Sequence, residues 1–177
     1  TNLTEYRIPE LDVGNGTDRI RGRLTAVTHR FRGLGFRGLD LDLTDVDLDV
    51  MRPYLDTLPF TGRVSGRLRA DGYFDQMEMG VDWNFYDYRV EGLPMNLVQM
   101  HGQVDMGGPE GFIFKGVTLD SADLDLPTIR LAVPAVILEG RARGSGTLDG
   151  PWKDVTFNGH LVQNDLDRPA STMQGRI

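Results

Sequence analysis

Along most of this chain apolar and polar residues alternate one by one, the period of a strand with one dry face and one wet face. From Phe60 the even positions Phe60, Gly62, Val64, Gly66, Leu68, Ala70 and Gly72 are apolar or small, with Arg63, Ser65, Arg67, Arg69 and Asp71 between them. The parity switches after Tyr73–Gln76, where Met77, Met79, Val81, Trp83 and Phe85 alternate with Glu78, Asp82 and Asn84. The same beat returns in Val98, Met100, Gly102, Val104 and Met106, in Val136, Leu138, Gly140 and Ala142, and in Val155, Phe157, Gly159 and Leu161. Clusters of glycine and proline at Gly14–Gly16, Gly33–Gly35, Gly107–Gly111 and Gly150–Pro151 predict turns. Their spacing predicts hairpins and meanders, hence an all-β, mostly antiparallel protein. One short helix is expected near 51–58, read MRPYLDTL. There Pro53 suits a first turn, and Tyr54, Leu55 and Leu58 have helical spacing.

The chain also repeats itself. Gly62–Gly72 reads GRVSGRLRADG and Gly140–Gly150 reads GRARGSGTLDG, a constant offset of 78 that carries Met77, Met79 and Trp83 onto Val155, Phe157 and Leu161. A weaker third copy, RIRGRLTA at Arg19–Ala26, parallels RVSGRLRA at Arg63–Ala70. Repeats of this kind predict an architecture that grows by adding similar strands. Residues 1–177 are expected to form a single piece of a longer repetitive protein, with sub-repeats of about 17–59, 60–135 and 136–177.

Composition narrows the function classes. With 22 glycines and 40% apolar residues, short strands and tight turns fit better than packed helices. A net charge of −7, with basic residues spread thinly, argues against nucleic acid as a partner. The absence of cysteine excludes thiol catalysis and cysteine-ligated metals and leaves the compartment open. No run approaches the ~20 apolar residues that span a bilayer, and no signal-like segment is present. Any anchor or signal is therefore expected outside this stretch.

The string LDLDLTDVDLDV at Leu39–Val50 carries five aspartates. Calcium needs several carboxylate oxygens converging on one point. Aspartates alternating with Leu and Val along a strand lie about 6–7 Å apart, so a solvated strand face is the better reading. Their mutual repulsion also discourages pairing with other sheets. His29, His101 and His160 are far apart in sequence and lack partners at ligand or nucleophile spacing. No catalytic group, metal set or cofactor motif is expected, so the chain reads as a non-enzyme. What remains is a set of apolar residues on the inward parity, rich in large side chains. It comprises Val64, Leu68, Met77, Met79, Val81, Trp83, Phe85, Met100, Val104, Met106, Phe112, Phe114, Val136, Leu138, Leu148, Val155, Phe157 and Leu161. Such a set forms either the dry core of a two-layer β-protein or the wall of a groove that adapts to apolar ligands.

An acidic alternating strand (LDLDLTDVDLDV), a proline-containing link (MRPYLDTLPF) and then GRVSGRLRADG resemble members of the AsmA-like and TamB families. The second copy, GRARGSGTLDGPWKDVTFNGHL, repeats that signature, and the resemblance runs from about Leu34 to Leu161. It implies a long antiparallel sheet curled into a U-shaped, taco-like trough with an apolar interior. It further implies a protein of the periplasm, tethered to the inner membrane of a Gram-negative-type bacterium. Such a protein would carry phospholipid toward the outer membrane and take part in outer-membrane biogenesis. Phospholipid acyl chains are then the expected ligand, an outer-membrane β-barrel protein is an expected partner, and the apolar set becomes a lipid groove. The competing expectation is a structural β-sandwich or solenoid module of a surface or adhesion protein with a dry core.

Overall fold

The structure is a computed structural model that describes residues 3–51, 59–108, 111–134, 136–165 and 168–176. The alternating stretches form strands β1 (Leu3–Asn15), β2 (Asp18–His29), β3 (Gly33–Asp47), β4 (Gly62–Tyr73), β5 (Gln76–Asp87), β6 (Asn96–Gly108), β7 (Gly111–Asp125), β8 (Arg141–Pro151), β9 (Thr156–Asp165) and β10 (Arg168–Arg176). They lie side by side in chain order as one antiparallel ten-stranded sheet. Among the described residues the hydrogen-bonded ladders join only strands that are neighbours in sequence, so the molecule is a single open, curled layer. The accessible surface is 10506 Å², against about 8,600 Å² for a compact monomer of this mass. The excess is what one layer, dry on one side only, must show.

The sheet is built twice. An offset of 78 residues relates the start of β2 to that of β6, both ends of β3 to those of β7, and the ends of β4 and β5 to those of β8 and β9. We refer to 18–87 and 96–165 as the first and second units. The irregularities repeat with the strands. The β3–β4 ladder shifts register between Phe36 and Leu39, and the β7–β8 ladder between Phe114 and Val117. The ladders on the other side slip between Arg23 and Thr25 and between His101 and Gln103. A second shift follows in each, at Leu43/Val46 and at Leu119/Ala122, the latter two residues earlier than the 78-residue offset would place it. Bulges bend a strand and sharpen its twist, so both units bend at the same place at the first bulge and two residues apart at the second. This grouping differs from sub-repeats at 17–59, 60–135 and 136–177. The RIRGRLTA stretch lies on β2, which corresponds to β6 rather than to β4.

Helical structure is confined to the connections. Leu48–Met51 and Trp152–Asp154 are 3-10 turns, and α1 spans Leu126–Arg130. Residues 52–58, most of the expected helix, lie outside the described residues. The observed turn at Leu48 instead corresponds to α1, 78 residues on. The Asp125 side chain caps α1 by accepting from Thr128 N at 2.9 Å, and a proline sits in its first turn. Arg130 then donates to the carbonyls of Val136 and Leu138, both at 2.8 Å. This ties the returning segment to α1.

Candidate functional site: the apolar inner face

The inner face can be followed from strand to strand through the register. Leu41, Leu68, Val81, Met100 and Leu119 stand opposite one another across β3 to β7. A second row runs Leu43, Gly66, Trp83, Val98, Ala122, Gly144 and Leu161, reaching β9. A third joins Met77, Val104 and Phe114. The expected residues on β4 to β7 (Val64, Leu68, Met77, Met79, Val81, Trp83, Phe85, Met100, Val104 and Phe114) share this face, with Phe112 and Met106 keeping its parity. Met106 packs with Leu39, Ala70 and Met77. Leu148, Phe157 and Leu161 continue the face on β8 and β9, packed around Leu119 and Ala122.

Three expected residues are placed differently. Val136 and Leu138 precede β8, in an irregular segment whose carbonyls are taken up by Arg130. Their alternation is therefore that of the α1–β8 connection and not of a strand. Val155 follows the Trp152–Asp154 turn and stands just outside β9. That turn lengthens the β8–β9 connection, so β9 begins two residues later than β5 does in the first unit.

Alternation alone also missed part of the wall. Leu39, Val46, Val117, Leu119 and Ala122 are buried on the same face. The bulges in β3 and β7 break the count of two, which hid the second half of β7. On β3 the signal was present, because Leu39, Leu41 and Leu43 are the partners of the aspartates read there as a wet face.

Within the wall, burial is uneven. Met77 is 0% exposed, and Val64, Val104, Val117 and Phe157 are nearly as enclosed. Leu68, Met79, Trp83, Met100, Met106, Leu148 and Leu161 are half-buried. Closest packing of neighbouring strands is set by glycine. A Cβ on Gly66 would sit 1.9 Å from the Asp82 carbonyl oxygen, and one on Gly144 would sit 1.8 Å from that of His160. These positions face Trp83 and Leu161. In the second unit the Phe157 ring lies against Gly146 and Gly159, 2.6 and 2.7 Å from where their side chains would begin. The equivalent first-unit positions are Met79, Leu68 and Val81, so the same space is filled by other side chains. Trp83 Nε1, on this wall, is buried without a hydrogen-bond partner among the described residues.

The opposite face is charged and paired. Arg67 makes a two-pronged contact with Asp40, 2.7 Å at each oxygen, and chiefly this bond holds the Asp40 carboxyl below the usual carboxylate range. Arg63 reaches Asp18 and Asp45, both at 2.7 Å. Arg141 and Arg143 share Asp123. Burial pushes the Asp123 carboxyl up, but the bonds from both arginines outweigh it, leaving the pKa lowered. The acidic strand β3 is thus paired on both sides, with arginines of β2 and β4 across from it, instead of being kept apart by repulsion. Asp87, enclosed at the end of β5, accepts from Thr61 N, Arg89 N and the Arg89 guanidinium. His101 lies 2.8 Å from Asp120 on the exposed face, and His29 packs against Phe31 and Tyr73.

Among the described residues no group of His, Cys, Asp and Glu is placed to hold a metal ion. No helix among them is long and apolar enough to cross a membrane. Comparison with known proteins found no family model, curated protein or solved structure that matches this chain.

Proposed function

We propose that this chain is a segment of a periplasmic protein of the AsmA/TamB type, lending its inner face as a passive groove for phospholipid acyl chains. The observation that carries the reading is one continuous apolar face shared by seven neighbouring strands, β3 to β9, in an open sheet with no second sheet over it among the described residues. Each methylene moved from water onto such a wall gains about 0.8 kcal/mol. Ten strands at ~4.8 Å spacing give a run of about 43 Å, which further strands of the same kind would lengthen. On this reading the full protein is tethered to the inner membrane, meets an outer-membrane β-barrel protein and catalyses no reaction.

A photo-crosslinking residue at Trp83 or Leu161 should capture phospholipid in cells, and one at Arg67 on the opposite face should not. Equal labelling at all three, or none, would remove the lipid reading. The complete enclosure of Met77 favours a second reading, a structural module whose curled face packs only on itself. That reading expects no capture at any position.

A further inference from the structure

We infer that Asp71 and Asp149 are positioning residues that set the width of the trough from its outer surface, without touching anything inside it. The inference rests on the proposed use of the inner face.

Each unit bends its longest strand twice, and the next strand clamps that strand at or just beside each bend. At the first bulge Gly38 and Gly116 take left-handed conformations, with φ of 56° and 64°. Their N–H groups leave the ladder and donate to carboxylates of the neighbouring strand. Gly38 N lies 2.9 Å from Asp71 Oδ2, and Gly116 N lies 3.0 Å from Asp149 Oδ1. In the second bulge of β3, and just past that of β7, an arginine clamps both the carbonyl and the carboxylate of one residue, Arg63 on Asp45 and Arg141 on Asp123. All four pairs obey the 78-residue offset. Between the two bends on β3 lies a floor of about five residues, Leu39 to Leu43, or ~13 Å of extended chain.

Asp71 and Asp149 stand on the charged face, opposite Glu78 and Thr156. Their side chains are exposed, and each captures the donor that the bulge releases. Without the acceptor the bulge N–H returns to water, and the bend loses the contact that holds its angle.

The test uses the cysteine-free sequence with two introduced cysteines, Arg30→Cys on one lip and Leu93→Cys on the other. Nitroxide labels there report the gap between lips by pulsed electron resonance. Asp71→Ala with Asp149→Ala should lengthen and broaden that distance, and Asp71→Asn with Asp149→Asn should restore it, since the amide oxygen accepts the same N–H. An unchanged distance in the alanine pair, with its strand signal by circular dichroism intact, overturns the inference. Should the pair lose that signal, the single variants carry the test, each with a smaller lengthening; no lengthening in either overturns it.

Phospholipid capture by a crosslinker at Trp83 should fall several-fold in the alanine pair and recover in the asparagine pair. Equal capture in the alanine pair also overturns the inference. Failure of the parent chain to capture any phospholipid sinks the proposed function instead, while the distance measurement still decides the clamp.

Discussion

The two units share a frame and differ in filling. The ends of the long strands β3 and β7, their first bulge, the clamping carboxylates and the deep glycines Gly66 and Gly144 coincide, yet the inner side chains do not. Leu68 gives way to Gly146, Val81 to Gly159 and Met79 to Phe157, with the aromatic ring lying where two side chains are missing. The outer face diverges as well. The Asp40–Arg67 pair of the first unit corresponds to Thr118 and Ser145 in the second. Curvature therefore depends on backbone-level features that tolerate little change. The wall needs only apolar volume, which several combinations supply.

The strongest way to break that comparison is to burden the shared frame. Gly66→Ala and Gly144→Ala each place a methyl within 2 Å of a neighbouring carbonyl oxygen. Each should cost about 3 kcal/mol or more, and nearly the same in both units, by urea unfolding. A large cost at only one glycine would show that the frames are not equivalent. Next come the fillings. Met77→Ala should cost about 2–4 kcal/mol because the side chain is fully enclosed. Val155→Ala, at the equivalent but half-buried position outside β9, should cost less than about 1 kcal/mol. Equal costs would mean that Val155 is packed as a strand residue.

The smallest effect concerns the charged face. The Asp40 and Asp123 carboxyls have folded pKa values below the unfolded one of about 3.9, and the Arg19 guanidinium holds Asp12 down to about 2. A lowered folded pKa stabilises above the unfolded value, and that contribution is lost as pH falls through the folded one. The urea midpoint should stay flat from pH 7 to 5 and decline below about 4. Arg67→Ala should lower the urea midpoint slightly at low salt and less at high salt, and Ser145→Ala should leave it almost unchanged. A midpoint rising below pH 4 would contradict the pairing.

Much of this was legible because a period of two is imposed by strand geometry itself. The alternation at 60–85 located β4 and β5, and the 78-residue match in GRVSGRLRADG and GRARGSGTLDG already contained the deep glycines and the clamping aspartates. Bulges were not legible, since an extra residue resembles a broken pattern until its partner strand is known. That is why Val117, Leu119 and Ala122 escaped notice. Val136 and Leu138 misled for the opposite reason. Two alternating residues in a connection look like a strand until Arg130 is seen to hold their carbonyls. The acidic stretch on β3 was read without its flanking arginines, which only the strand order brings opposite it.

A molecule whose bends recur with the chain carries its own graduation marks. Copying one such block in tandem would leave no seam, because the strand that follows the junction meets the edge it was already shaped to meet. Every copy would extend the reach by about 19 Å, turning a change in gene length into a measured change in span.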